Sequence, residues 1–568
     1  MNATKYILLL STIFILNGAC EKALEETPYD FVSPDQLGKS SEQDANLWVN
    51  GALNTLNSGN FFAYAVWNRP HEMDCDDITG KDWAFSNLGA GNFLGTSAKN
   101  DLRTYWSGPY ALIQRCNVAI KRIEEMTFDE AAKNNALGQL HFLKAWAYFV
   151  LVQAFGPVPI HKESIVDVGV GNVALPRSPV SDVYAYIIEE LQLAETQLYS
   201  KQNSKHEIGR ISQEAAKTML AKVYTTMASG ALAGAQLTVM GGAQTATIDG
   251  VLTRIPPVPL THTKQVVAGY ESFDAAAYFK LARDKAKEVI DVAKAGGNFN
   301  LFPSYMDVWS IANRNRGEHF WQMNATNSEE FGNFLSYQYV GVILPHGSID
   351  GGHWALSDHW YDLFEEQDER IRKGVIHRYQ LFANAAWQYY PGKDSLKVKN
   401  SATVPTEEGY QPTDNYAPDN WHVAMAAKYA QVTDRTLYRA DMPYPFLRYA
   451  ETLLIFAEAE NEVNGPTSEA YEALNAIRRR SNASLQSVGN MDQQQFRSFV
   501  LEERRRELHL EGVRAWDLRR WGIYLPVMNA IGVDANNIIK RRNNAHLLFP
   551  IPEEEINSNP GMVNNPGW

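Results

Sequence analysis

The sequence predicts an all-α-dominated protein: a helical-repeat scaffold carrying long, aromatic-rich loop insertions. Three observations carry that expectation. Broad apolar stripes recur at helical spacing. Small residues alternate with Tyr and Phe along neighbouring helical segments. Two long stretches without such a stripe interrupt them, at 231–272 and at roughly 300–445.

The first element is not part of the fold. Lys5 is the only charge before residue 20, and Tyr6 to Leu16 reads YILLLSTIFIL. That run is too short for a membrane span, which needs roughly twenty residues, and it has the length of a signal-peptide core. Gly18 and Ala19 then precede Cys20, so that cleavage would expose a cysteine at the new N-terminus. The pattern resembles the lipobox of bacterial lipoproteins, with Asn17 in place of its usual small or hydroxyl residue and Leu16 one place early. An exported, lipid-anchored protein is expected, with 1–19 removed and Cys20 acylated. Loss of Lys5 leaves 51 basic against 65 acidic residues, a net of −14, which disfavours nucleic-acid binding.

Residues 20–40 are polar and acidic, with two prolines, and read as a lipidated tether of at most about 65 Å. A helical N-terminal region over 41–230 follows. "GQLHFLKAWAYFVLVQAFGPVPI" (138–160) is apolar nearly all round, which predicts a buried helix stopped at Gly156-Pro157. "PVSDVYAYIIEELQLAETQL" (179–198) is a second helix. In "SQEAAKTMLAKVYTTMA", Ala215, Ala216, Met219, Leu220, Val223, Tyr224 and Met227 form one stripe, with Ser212 as N-cap.

The insertion at 231–272 is rich in Gly, Thr and Pro. Beyond it, the region 273–568 opens with a helix at 273–293 and later carries a helix pair at 446–465 and 467–481. The pairs resemble tetratricopeptide units without a fixed 34-residue period. Cys75 and Cys116 could pair with each other, although Cys116 lies in a helical stripe with Ile113 and Ile120 and fits a buried small hydrophobe better.

Catalytic signatures are missing from the sequence: it has no G-x-S-x-G, H-E-x-x-H, Walker or C-x-x-C motif. "GAGNFLG" (89–95) has the wrong spacing for a dinucleotide fold and reads as a flexible loop. "MDCDD" (73–77) reads as a solvated acidic loop, with a hard-cation site as the alternative. His346, His353 and His359 share no ligand spacing, so neither metal nor cofactor is expected.

In "LEERRRELHLEGVRAWDLRRWG" (501–522), five acids interleave with six arginines. The stripe from Phe496 and Val500 lands on Glu503, Arg504, Glu507, Leu508 and Glu511. Charges on a core-facing line must be paired, so a structural ion-pair network is expected, with Gly512 ending the helix. The proline-rich end, "LLFPIPEEEINSNPGMVNNPGW", should wrap the surface and close the molecule.

That C-terminal set, together with "RYAETLLIFAEAENEVNG" and "FLKAWAYFVLVQAFGPVPI", resembles the SusD/RagB family of Bacteroidetes. The resemblance implies an outer-surface, outer-membrane lipoprotein with a tetratricopeptide-like core and non-catalytic nutrient capture, usually of glycans. It also implies a partner, a SusC-like TonB-dependent transporter. A peptide ligand is the alternative within that role; a surface glycosidase and a purely structural repeat adaptor are the rivals outside it. The family's motifs are scaffold motifs, so the ligand site has to be argued physically. A sugar ring needs flat aromatic faces edged by planar amides, Arg or Asp. Two loop-borne clusters fit. From 67–87 the candidates are Trp83, with Asp77, Asn87 and Arg69; from the 340–421 insertion they are His353, Trp354, Trp387 and Tyr390. Trp106, Trp146, Trp309, Trp360 and Trp516 read as core.

Overall fold

The computed structural model describes residues 41–57, 61, 67–80, 87–169, 174–380, 387–390 and 424–568. Cys20, the tether and Trp83 lie outside the described residues. Among those described, no helix is long and apolar enough to cross a membrane.

Long helices stack side by side. α1 is Glu42–Leu53 and the short α2 is Asn68–Glu72. Then come α3 (Thr96–Glu124), α4 (Glu130–Phe155), α5 (Val180–Gln197), α6 (Gln213–Ala231) and α7 (Ala275–Lys294). Each of these five packs on the next, and α7 then packs on α9 (Tyr449–Asn464). α9 is flanked by α10 (Ser468–Arg480) and α11 (Gln493–Glu507). The sequence dictates the limits of several. Ser212 caps α6, its hydroxyl accepting from Ala215 N–H. Asp129 caps α4 in the same way, and Gly156, at φ +70°, ends it. α4 is buried on almost every face, and two of its polar members are paired across to α5, where Glu190 meets His141 at 2.6 Å and Lys144 at 2.8 Å.

The 231–272 insertion is not a loop. β2 (Gln236–Gly241) pairs antiparallel with β5 (Val258–Thr263), and β3 (Thr245–Ile248) with β4 (Val251–Arg254). Asp249 and Gly250 both have positive φ at the tip, the requirement of a type I′ hairpin turn. Among the described residues of 300–445, the aromatics lie mostly inside. Trp309, Trp360, Tyr339 and Tyr429 are fully buried, and Tyr339 stacks on Tyr429 at 4.0 Å. β6 (His319–Met323) pairs with β8 (Tyr444–Arg448), and the short α8 (Leu335–Val340) lies between them in sequence. Trp106, Trp146 and Trp516 are also core, as expected. Cys75 and Cys116 are free buried thiols rather than a disulfide.

α11 ends at Glu507, five residues before Gly512. The glycine has a different task. Its φ is +69°, and a Cβ there would lie 1.7 Å from the His71 ring, so only glycine lets the two segments meet. The α12 helix (Arg514–Arg520) follows.

The charged stripe is paired, as expected, but its partners come from far along the chain. Arg370 is shared among Asp368, Glu503 and Glu507. Arg448 joins Glu318, Glu507 and Glu511. The 73–77 loop, expected to be solvated, is buried, and this corrects the sequence reading. Asp74 meets Arg542 at 2.9 Å and Arg519 at 2.5 Å, and Asp76 meets Arg514 at 2.7 Å. Asp77 receives Arg505 Nε and Nη2 at 2.8 and 2.6 Å. Burial alone would raise Asp74; Arg542 and Arg519 outweigh it and hold the carboxyl below its ordinary value.

The chain end wraps α4 as expected. Phe549 N–H donates to Ala154 O at 2.8 Å, and Arg177 donates to Phe155 O at 2.8 Å and to Val563 O at 2.9 Å.

Candidate functional site

Three of the residues selected from the sequence, Arg69, Asn87 and Trp354, converge on one cleft. Its volume is about 140 Å³, and Met73, Leu88, Ser97, Asp101 and Gln338 complete its lining. Arg69 stands on α2. Asn87 begins the tight turn Leu88–Ala90. Trp354 heads β7 (Trp354–Leu356), which pairs with β1 (Ile78–Gly80) so that Trp354 faces Gly80. Asp101 comes from the first turns of α3 and Gln338 from α8.

Arg69 Nη1 donates to Asp101 Oδ1 at 2.8 Å, and its guanidinium carbon lies 6.0 Å from the centroid of the Trp354 ring. Burial raises the Asp101 carboxyl above its ordinary value, with Arg69 opposing. The cleft therefore offers a guanidinium, two amides, a hydroxyl and a carboxylate around a small apolar floor. That is the donor and acceptor set a polyhydroxylated ligand needs.

Trp354 differs from its expected role. It is only 2% exposed and stands edge-on to Tyr339 at 5.3 Å, so it forms the cleft's floor and not a free stacking platform. Among the described residues, a partly exposed aromatic cluster that the sequence reading missed adjoins the lining in sequence, with Tyr337 next to Gln338. Tyr438 is 44% exposed. It contacts Tyr337 at 5.0 Å and donates its hydroxyl to Asp350 at 3.0 Å. Tyr337 in turn meets His353 edge-on at 5.4 Å and Phe334 at 6.1 Å. His353, itself buried, thus joins this cluster to Trp354, the next residue in the chain. Tyr337 lies three residues before the 340–421 window and Tyr438 seventeen after it. Helical spacing from Phe334 to Tyr337, and the lone Tyr of "DRTLYRAD", were the available signals.

Two selected residues lie elsewhere. Asp77 is buried on Arg505, with both carboxylate oxygens engaged. Tyr390 is 2% exposed, and its hydroxyl donates to Asp358 at 2.7 Å. Both side chains are committed to internal partners that loop composition does not reveal. Trp387 sits on the strand Trp387–Tyr389, paired with Arg378–Gln380; its side chain, like Trp83, is outside the described residues.

Comparison with known proteins places this architecture. A family model described as "SusD family" matches residues 318–568, and a second, described as "Starch-binding associating with outer membrane", matches residues 45–225. The chain belongs to the SusD/RagB family. A SusD-like protein, P2, of Formosa agariphila is 23% identical over 562 residues, covering 96% of each chain. The crystal structure of a SusD homologue from Bacteroides thetaiotaomicron superposes with a TM-score of 0.73 at 20% identity, over 93% of this chain and 97% of that one. Surface glycan-binding protein A from Bacteroides uniformis superposes with a TM-score of 0.65 at 20% identity, over 92% and 99%. The helical scaffold described above is thus the tetratricopeptide-like SusD fold.

Proposed function

We propose that this SusD/RagB protein is a non-catalytic, surface-facing outer-membrane lipoprotein that captures an oligo- or polysaccharide and delivers it to a SusC-like TonB-dependent transporter. The observation that carries the reading is the cleft itself. Arg69, Asn87, Asp101 and Gln338 converge in it, and the partly exposed Tyr337–Tyr438 pair adjoins the lining residue Gln338 in sequence, so that hydroxyl-binding groups and flat ring faces are carried by neighbouring residues. The names of the family models and of the glycan-binding neighbour support a glycan as the ligand class. Cys20, after an apolar leader, supplies the anchor in this reading.

The test is affinity electrophoresis in gels containing soluble starch, laminarin, xylan or pectin, with a panel of peptides assayed by calorimetry. Retardation by at least one polysaccharide, without new reducing ends on long incubation, is the expected result. Binding confined to peptides would replace the ligand class. New reducing ends proportional to protein concentration would overturn the non-catalytic role.

A further inference from the structure

One buried arginine bonds to both segments that wall the cleft. The first wall is α2 running into Met73; the second is the turn at Asn87–Ala90. Arg542 reaches the segment of each. Its Nε donates to Asp74 Oδ1 at 2.9 Å, and its Nη2 donates to Gly89 O at 2.8 Å. Asp74 follows the lining residue Met73, and Gly89 follows the lining residue Leu88. Nη1 donates to Ile539 O and Arg541 O, each at 3.1 Å, so the whole guanidinium fork is held.

The arginine is itself fixed. Its own N–H donates to Asn529 Oδ1 at 2.7 Å, and Asn529 Nδ2 returns a bond to Arg542 O at 3.0 Å. Gly91, at φ +76°, packs directly on the guanidinium: a Cβ there would lie 2.8 Å from its central carbon. His546 Nε2, 3.0 Å from Gly91 O, holds the same turn from the same C-terminal segment.

We propose that Arg542 is a positioning residue for the ligand cleft: by bonding Asp74 and Gly89 at once, it sets the gap between the wall carrying Arg69 and Met73 and the wall carrying Asn87 and Leu88. The inference rests on the cleft being the ligand site. Its physical basis is preorganisation, since a gap held before the ligand arrives does not have to be ordered on binding. A lysine keeps the charge and can pair with Asp74, but its single ammonium lacks the planar fork that spans both walls.

Arg542→Lys is the test, with Tyr524→Phe as control. The Tyr524 hydroxyl donates to the other oxygen of Asp74 at 2.5 Å and does not reach the second wall. In Arg542→Lys, amide exchange over residues 87–92 should rise about tenfold, with α9 unchanged. Retardation by whichever of soluble starch, laminarin, xylan or pectin the wild type binds should weaken about fivefold or more. Tyr524→Phe should lower the melting temperature while leaving both of those readouts as in the wild type. If Arg542→Lys does not fold, Asn529→Ala, which removes both bonds to the Arg542 backbone and lies outside 87–92, should give the same two changes. Unchanged exchange at 87–92 overturns the bridge. Raised exchange with wild-type affinity overturns the positioning role. If the wild type binds none of the four polysaccharides, the glycan reading falls, and exchange alone decides whether Arg542 sets the gap.

Discussion

Arg505 holds Asp77 through two nitrogens, at 2.8 and 2.6 Å, across a sequence separation of 428 residues. Asp76 beside it is gripped by Arg514, and Asp74 by Arg519 and Arg542. The acidic 73–77 loop thus fastens the N-terminal part of the chain to the C-terminal arginine cluster, and the residues flanking it line the cleft.

Breaking that fastening should be costly. Asp77→Ala leaves the Arg505 guanidinium buried without its main partner, a loss of about 3–5 kcal/mol. The double variant Asp77→Leu, Arg505→Met should recover part of that loss, because it removes both charges of the pair; Asp76 keeps Arg514, and the Arg505–Glu502 contact at 3.3 Å is given up. Denaturant midpoints of the two variants check this; equal losses in both would show that the charge itself is not what matters.

The cleft's floor and the exposed tyrosine should respond differently to truncation. Trp354→Ala removes a buried ring and should destabilise by about 3–5 kcal/mol. Tyr438→Ala, at an exposed position, should change stability by about 0.5 kcal/mol or less while weakening polysaccharide retardation. Paired melting and binding measurements on each variant distinguish the two roles.

The arginine cluster predicts an acid limit. For each of the three acids below, burial works to raise the carboxyl and its arginines outweigh it. Glu503, beside Arg370 and Arg478, and Glu507, beside Arg480 and Arg448, are each held down to about 2; so is Asp517, between Arg504 and Arg520. Depressed folded-state values mean that the unfolded chain binds protons first as pH falls. Their stabilisation is therefore present above the ordinary carboxylate range and lost on descent from about pH 4.5 to about 2. Denaturant midpoints that stay level across that interval would contradict the pairing.

Glu72 should act with the opposite sign. Burial pushes it up to about 8, although Lys428 and the Gly512 N–H oppose the rise. The folded state then keeps a proton that the unfolded chain has released, so this group's contribution falls as pH climbs from about 4.5 to 8. Glu72→Gln mimics the protonated form and should flatten that decline. If wild type and variant give parallel stability curves from pH 5 to 8, Glu72 is ionised in the fold.

The lipid anchor can be tested separately. Cys20→Ala should release the protein from membranes, since acyl chains contribute about 0.8 kcal/mol per buried CH₂ and stable attachment needs more than one chain. Persistent pelleting after high-salt washing, in cells lacking the transporter partner, would remove the lipobox reading.

Sequence by itself determined the helices and the need for pairing among the C-terminal charges. The stripe of α6, the Ser212 cap, the stop at Gly156 and the wrapping tail all follow from local rules of spacing, capping and backbone freedom, which act within a few residues. It also pointed to Arg69, Asn87 and Trp354, which the fold gathers into one cleft. The Asp249-Gly250 hairpin was legible too, as a turn dipeptide between alternating apolar and polar residues, but overall Gly, Thr and Pro content obscured it. Only the tertiary structure decided which charges meet and which aromatics stay accessible. Asp77 and Tyr390 have the composition of ligand-binding loop residues, yet Arg505 and Asp358 enclose them; Tyr438 is unremarkable in sequence, yet it stays exposed. The physical reason is that burial and ion pairing are properties of contacts between segments hundreds of residues apart. A side chain's chemistry states what it can bind, and the packing of distant elements determines whether that capacity is satisfied inside the fold or left facing a ligand.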